Sequence, residues 1–142
     1  MKQPVLRSGF SLLELVVVVV VIGILSAIAI PQYTGYLQKG RDTDAQMSLR
    51  AISASQERFK LLYGTYCGPT SNPICNSNAT IVTNLLSGVN VSTKNYNFSI
   101  VSSSATAFLV RADSIRVTNY YFSIDQTDCL RLNATTGTGN CL

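Results

Sequence analysis

The stretch GFSLLELVVVVVVIGILSAIAIP occupies residues 9–31, and it decides the fold of the first part of the chain. Between residues 10 and 30 the only ionisable side chain is that of Glu14. At about 1.5 Å per helical residue, a stretch of this length spans roughly the 30 Å hydrocarbon core of a bilayer. Lipid offers the backbone no other hydrogen-bond partner, so we expect a membrane-spanning α-helix over residues 10–31.

The charges around this stretch predict its orientation. Lys2 and Arg7 precede it, whereas the first cations after it are mixed with acidic residues. The positive-inside rule therefore places the N-terminus in the cytoplasm and the bulk of the chain outside. The formal net charge is +4 and falls to +2 without Lys2 and Arg7. So small an excess argues neither for nor against binding to nucleic acid.

The cysteines support the same orientation. Four cysteines lie beyond the apolar stretch, at Cys67, Cys75, Cys129 and Cys141, and the chain has no histidine. An even number in a small domain behind a membrane segment indicates disulfides in an oxidising compartment. Pairing 67 with 75 and 129 with 141 is the local choice among three connectivities, and the sequence does not decide between them. Four thiolates could in principle bind zinc, but there is no CxxC motif, and we expect neither a metal nor a cofactor.

The motif Gly9-Phe10-Ser11-Leu12-Leu13-Glu14 after a short basic leader resembles the class III signal of type IV pilins. An ordinary signal peptide, with Ala27-Ile28-Ala29 as its cleavage site, would have a shorter apolar run. A plain membrane anchor would explain the length but not Glu14. The resemblance implies removal of residues 1–9 by a prepilin peptidase, which cuts between Gly9 and Phe10. It further implies N-methylation of the Phe10 amine and transfer of the subunit from the inner membrane, by the pilus assembly machinery, into a helical filament.

We expect Glu14 to set docking and register in such a filament. A carboxylate near the end of a membrane helix is tolerable, but in a dry filament core it needs a counter-charge. The Phe10 amine of a neighbouring copy is the obvious candidate, and pairing with the amine of the same chain remains an alternative. Gly23 and Pro31 weaken the helix, so we expect a kink or, by the resemblance, local melting between them. Gly23 could equally be a close-packing site between helices.

Beyond the membrane the sequence predicts an α+β head. The helix should continue through an amphipathic half, residues 32–63, whose apolar stripe consists of Ala45, Leu49, Ile52, Gln56, Phe59 and either Leu62 or Tyr63. Gly64 suits a helix stop, and residues 64–94 have the composition of a long loop, with a helical turn over residues 81–86. Alternating residues predict antiparallel strands over 95–101, 106–112 and 117–125, with turns at 102–104 and 113–114 and a short edge strand at 130–132. The head thus comprises residues 64–142, with a sheet over about 95–132, core aromatics, and a tail closed by the last cysteine pair.

The expected protein is therefore pilin-like, with a long N-terminal helix packed on an antiparallel sheet, and it is not an enzyme. The expected partners are other copies or other pilins, the prepilin peptidase, the assembly machinery and, before assembly, the membrane. The alternatives are a pseudopilin of a type II secretion system, which would stay periplasmic, and a minor tip pilin that acts as a binding module. DNA is a conceivable ligand of such a module, but no basic stripe supports it.

Overall fold

The computed structural model describes residues 9, 11–71, 75, 78–86, 91, 94–133 and 140–142, of which 78 and 84 are described by their backbone alone. The contacts divide the chain into two compact units, one ending at Lys39 and the other beginning at Gly40. Most of the predicted leader and Phe10 lie outside the described residues, as does most of the C-terminal tail.

Helix α1 runs from Leu12 to Tyr63. Its most apolar 18-residue window has a mean hydropathy of 3.0, so by length and composition it could cross a membrane. The helix ends where the sequence predicts, because Gly64 adopts a φ of +73° and donates its N–H to the Lys60 carbonyl at 2.8 Å. A positive φ is inexpensive for glycine, which makes it a suitable residue just past a helix.

A short helix α2, Asn78–Thr80, leads into a π-helical turn, Ile81–Leu85. The side chains of Ile81 and Leu85, and that of Leu86 just after the turn, are buried in the core. The predicted helical turn over residues 81–86 is therefore confirmed in position.

Four antiparallel strands form a meander in the order β1-β2-β3-β4. The strands are β1 Tyr96–Ser103, β2 Phe108–Ser114, β3 Tyr121–Asp125 and β4 Leu130–Leu132. A bulge lies between Ile100 and Ser102 of β1, where the register shifts. The α+β fold class, the antiparallel meander and the short edge strand are thus confirmed.

The core lies between one face of the head part of α1 and one face of the sheet. Its helix residues are Ala45, Leu49, Ile52, Gln56 and Phe59, and its sheet residues include Tyr96, Phe98, Ile100, Phe108, Val110, Ala112, Phe122, Ile124 and Leu130. These aromatic rings are all but fully buried, which confirms the expectation that they pack in the core and form no exposed stacking platform.

Some details differ from the sequence-based expectation. The apolar stripe ends at Phe59, because Leu62 and Tyr63 are 70% and 56% exposed. β1 and β2 extend into the predicted turns, as far as residues 103 and 114. The β1–β2 turn therefore falls at residues 104–107 and the β2–β3 turn at 115–120, so residues 106–107 and 117–120 lie in turns and not in the predicted strands. Serine carries no strong period-2 signal, and pairing with the neighbouring strand extends β1 and β2 beyond their apolar residues.

Candidate functional site

The N-terminal segment carries the residues that the sequence singles out for processing and assembly. Glu14 lies in the first turn of α1 and is exposed, and Ser11 accepts the first helical bond, from the Leu15 N–H at 3.2 Å. A carboxylate in the first turn interacts favourably with the helix dipole. A Cβ built on Gly9 would meet no described atom within 4 Å. Packing among the described residues therefore places no demand for glycine at this position.

Helix α1 continues through both residues predicted to weaken it. Gly23 lies in open space, and Pro31 lies inside the helix with its carbonyl accepting a 2.8 Å hydrogen bond from the Thr34 hydroxyl. Apolar side chains line the helix surface on both sides of Pro31 and are largely exposed. A shallow apolar groove on this part of α1 is lined by Ala29, Ile30, Gln32, Tyr33 and Tyr36.

The structure joins Cys67 to Cys75 and Cys129 to Cys141. The first pair is fully buried, whereas Cys141 of the second pair is exposed. Among the described residues no group of histidine, cysteine and carboxylate side chains could hold a metal ion.

A buried amide secures the first disulfide segment to α1. Gln56 is fully buried, donates from Nε2 to the Cys67 carbonyl at 2.8 Å, and accepts from the Cys67 N–H at 2.8 Å. Next to it the Tyr66 hydroxyl donates to Glu57 at 2.7 Å and accepts from Lys60 at 3.3 Å. Burial, followed by the hydrogen bond to Glu57, raises the pKa of Tyr66. The polar Gln56 within an apolar stripe was the one sequence signal for this contact.

The carboxylate of Asp42 connects α1 to the sheet. Asp42 accepts hydrogen bonds from the hydroxyls of Tyr96 at 2.6 Å and Tyr120 at 2.8 Å. Burial, together with this hydrogen bond, raises the pKa of Tyr120 to about 12. The sequence offers no signal for this site, because the partners lie 54 and 78 residues from Asp42.

The β2–β3 loop, residues 115–120, presents a cation at one end of the sheet. The Ile115 N–H donates to the Asn95 carbonyl at 3.0 Å, which brings the loop next to the residues before β1. Lys94 and Arg116 are therefore neighbours at this end, both are exposed, and neither has an ion pair among the described residues. The sequence gives no signal for this cluster, because 22 positions separate Lys94 from Arg116.

Comparison with known proteins identifies the family. The family model described as "Type IV minor pilin ComP, DNA uptake sequence receptor" matches residues 31–133, and the model "Prokaryotic N-terminal methylation motif" matches residues 6–30. The first match covers α1 from Pro31 to its end and the whole of the described sheet.

Individual relatives match over shorter segments. The chain is 41% identical over 53 residues to the type IV major pilin protein PilA of Myxococcus xanthus. It is 40% identical over 55 residues to the type II secretion system core protein G of Pseudomonas aeruginosa. It is 31% identical over 68 residues to the type IV major pilin protein PilE1 of Neisseria gonorrhoeae.

These alignments cover 37%, 39% and 48% of this chain and 24%, 39% and 31% of the respective relatives. The chain thus spans less than half the length of each of these curated relatives. The family match over residues 31–133 is the longer one, and an N-terminal apolar helix is consistent with a membrane-anchored pilin precursor. The chain belongs to the family of the type IV minor pilin ComP, DNA uptake sequence receptor.

Proposed function

We propose that this protein is a structural subunit of a type IV pilus, made as a single-pass inner-membrane precursor and polymerised through its N-terminal helix. The observation that carries the proposal is an apolar helix with one carboxylate in its first turn. Its apolar part lies within the match to the methylation motif, residues 6–30, and the match to the pilin family follows over residues 31–133. Residues 1–9 are the leader, residues 10–31 the membrane and filament-core segment, residues 32–63 the amphipathic half, and residues 64–142 the head.

Processing by a prepilin peptidase supplies the charge that assembly needs. Hydrolysis between Gly9 and Phe10 releases a Phe10 ammonium, which becomes N-methylated. A glycine suits the scissile bond, because a residue without a Cβ lets the peptidase approach the backbone closely. Mass spectrometry of the mature N-terminus tests it: N-methyl-Phe10 supports the proposal, and a start at Ile30 would contradict it.

In the filament Glu14 pairs with the Phe10 ammonium of a neighbouring copy. A charge at the centre of a membrane helix costs about 2.5–3.5 kcal/mol, and less near its end, so the precursor tolerates Glu14. An unpaired buried charge is far more costly than a paired one, so a misregistered copy is rejected. Gly23 and Pro31 allow the intervening helix to stretch as the fibre forms.

Substitution of Glu14 tests this role. We expect Glu14→Val to be cleaved normally and to assemble poorly, whereas Glu14→Asp retains the charge and a measurable filament yield. Filaments sheared from cells and quantified by electron microscopy give the readout. Wild-type yield from Glu14→Val would refute the role, and long surface fibres as opposed to periplasmic stubs would exclude the pseudopilin alternative.

A second candidate function is DNA binding by the head. The matching family is described as a DNA uptake sequence receptor, and its model covers residues 31–133. Lys94 and Arg116 offer two neighbouring exposed cations, and phosphate contacts from such residues dominate the affinity of proteins for DNA.

Binding of a short labelled duplex to the detergent-solubilised full chain tests this function. We expect Lys94→Ala and Arg116→Ala each to weaken binding and to lower the slope of log K against log salt by about 1. Arg58→Ala is the matched control, because Arg58 is also exposed and carries the same charge but lies on α1. Absence of duplex binding by the wild type would contradict the function.

A further inference from the structure

The tip of the β2–β3 loop exposes two apolar side chains on either side of a cation. Ile115 is 54% exposed and Val117 is 45% exposed, with Arg116 between them. A single exposed apolar residue is ordinary on a protein surface. Two exposed β-branched residues on either side of an exposed arginine in one turn are a more specific arrangement.

Hydrogen bonds hold this tip in place. The Ser114 hydroxyl oxygen accepts from the N–H groups of Arg116 at 3.3 Å and Val117 at 3.2 Å. The Ser114 N–H donates to the Tyr120 carbonyl at 2.9 Å, which closes the base of the loop. Because the backbone is fixed, little conformational entropy remains to be lost when the tip contacts a ligand.

The surroundings of the tip suit a polyanion with an apolar interior. Lys94 adds a second cation, and Thr118 and Asn119 add exposed hydrogen-bonding groups. Two carboxylates next to this end of the sheet already have partners. Asp113 on β2 pairs with Arg111 at 2.9 Å, and Asp42 on α1 accepts a hydrogen bond from the Tyr120 hydroxyl at 2.8 Å. Double-stranded DNA has this chemistry, with charged phosphates outside and stacked bases inside.

We propose that Ile115 and Val117 act as a wedge that enters between base steps of duplex DNA while Lys94 and Arg116 hold the flanking phosphates. DNA-bending proteins use the same combination, in which apolar wedges partly unstack a step and cations secure the backbone. The head then discriminates between sequences partly by how easily each step is unstacked. This inference rests on the proposed DNA-binding function and assigns its site and mode.

An anionic membrane surface is the competing ligand for a basic and apolar tip. Thr118 and Asn119 favour DNA, because polar side chains next to the wedge would have to be desolvated in a bilayer but can bond to base edges in a groove. The experiment therefore includes anionic vesicles alongside the duplex.

The test uses the full chain in detergent and a short duplex with a donor and an acceptor dye at its ends. We expect binding to shorten the end-to-end distance, and we expect Ile115→Ser with Val117→Ser to abolish that change and weaken binding about tenfold or more. The salt slope should stay unchanged in this double variant, because its phosphate contacts remain. Val101→Ser is the matched control, since Val101 is also 45% exposed and lies on β1.

The outcomes distinguish failure of the proposed wedge from failure of the proposed DNA-binding function. Binding by the wild type without bending, or equal bending by the double variant, would overturn the wedge and leave DNA binding intact. Absence of duplex binding by the wild type would overturn both. Wedge-dependent binding to anionic vesicles, with no bending of DNA, would assign the tip to a membrane surface instead.

Discussion

Asp125 and Arg131 form the most buried ion pair among the described residues, with side chains only 11% and 10% exposed and an O–N distance of 2.5 Å. Burial alone would raise the pKa of Asp125, but hydrogen bonds from Thr127 and Arg131 outweigh it and hold the pKa below its ordinary value of 3.8. Neither residue stood out in the sequence, because an isolated charge at the end of a strand or in a short edge strand is usually solvated. The pair links the end of β3 to β4.

We expect Asp125→Asn to lower the free energy of unfolding by about 3 kcal/mol at neutral pH, because it leaves the Arg131 charge without its counter-charge. Chemical denaturation of the full chain in mild detergent measures this. Asp128→Asn is the control, since Asp128 pairs with Arg50 at side-chain exposures of 58% and 51%, and it should cost at most about 1 kcal/mol. Equal losses in the two variants would contradict the burial argument.

The same pair predicts a pH dependence of stability. Since the folded pKa of Asp125 lies below the unfolded value, its contribution is present above the ordinary pKa and is lost as pH falls through the folded pKa. The wild type should therefore lose more stability than Asp125→Asn when the pH is lowered from neutral into the acid range. Denaturation at a series of pH values gives the comparison, and parallel curves would exclude the contribution.

The end of α1 is specified by its own residues, whereas its attachment to the head depends on distant ones. Gly64 stops the helix through a positive φ, a property of one residue that is legible in the sequence. Gln56 and Asp42 attach the helix to the first disulfide segment and the sheet, through partners whose proximity arises only on folding.

Two glycines, Gly40 within α1 and Gly64 just past its end, should respond oppositely to substitution by alanine. Gly64→Ala should destabilise the chain by roughly 1–2 kcal/mol, because a Cβ is strained in the left-handed region. Gly40→Ala should stabilise it by up to about 1 kcal/mol, because Gly40 lies within α1 in open space. Thermal unfolding of both variants measures the two effects. A change of the unfolding temperature in the same direction for both variants would contradict the prediction.

The buried amide of Gln56 should be costly to remove. In Gln56→Leu the Cys67 N–H and carbonyl both lose their partner in the core, for a loss of about 3 kcal/mol in the free energy of unfolding. Gln46→Leu is the control, since Gln46 is half-buried on the same helix and its side chain has no hydrogen bond among the described residues. Its effect should stay within about 0.5 kcal/mol. If Gln56→Leu lowered the free energy of unfolding no more than the control does, the hydrogen bonds between Gln56 and the Cys67 backbone would not be stabilising.

The molecule carries two disulfides in very different surroundings. Cys67 and Cys75 are fully buried, and the Cys67 backbone is hydrogen-bonded to Gln56. Cys141 is exposed, and its partner Cys129 is 5% exposed. Thiol–disulfide exchange requires in-line access of a thiolate to a sulfur. The two pairs therefore differ in accessibility although the sequence presents them alike.

Under native conditions a limiting dithiol reductant should open Cys129–Cys141 before Cys67–Cys75. Alkylation of the freed thiols, followed by peptide mass spectrometry over time, measures the order. In denaturant both pairs should react at similar rates, which serves as the control. Earlier labelling of Cys67 and Cys75 under native conditions would contradict the burial of that pair.

Local patterns sufficed to predict much of this protein. A long apolar run demands a helix in lipid, alternating residues demand strands with one buried face, and a glycine past an amphipathic stripe ends the helix. These inferences hold because each depends on neighbours in the chain. The prediction failed at Leu62 and Tyr63, which continue the helical period but lie where the packed stripe has already ended.

Tertiary structure alone decided which polar groups meet. Asp42 finds Tyr96 and Tyr120, and Lys94 comes beside the loop that bears Arg116, through strand register and not through any repeat along the chain. A periodic pattern reports which face of an element is apolar, because burial is non-directional. A hydrogen bond or charge cluster needs particular atoms at a particular distance, and only the folded backbone sets that distance.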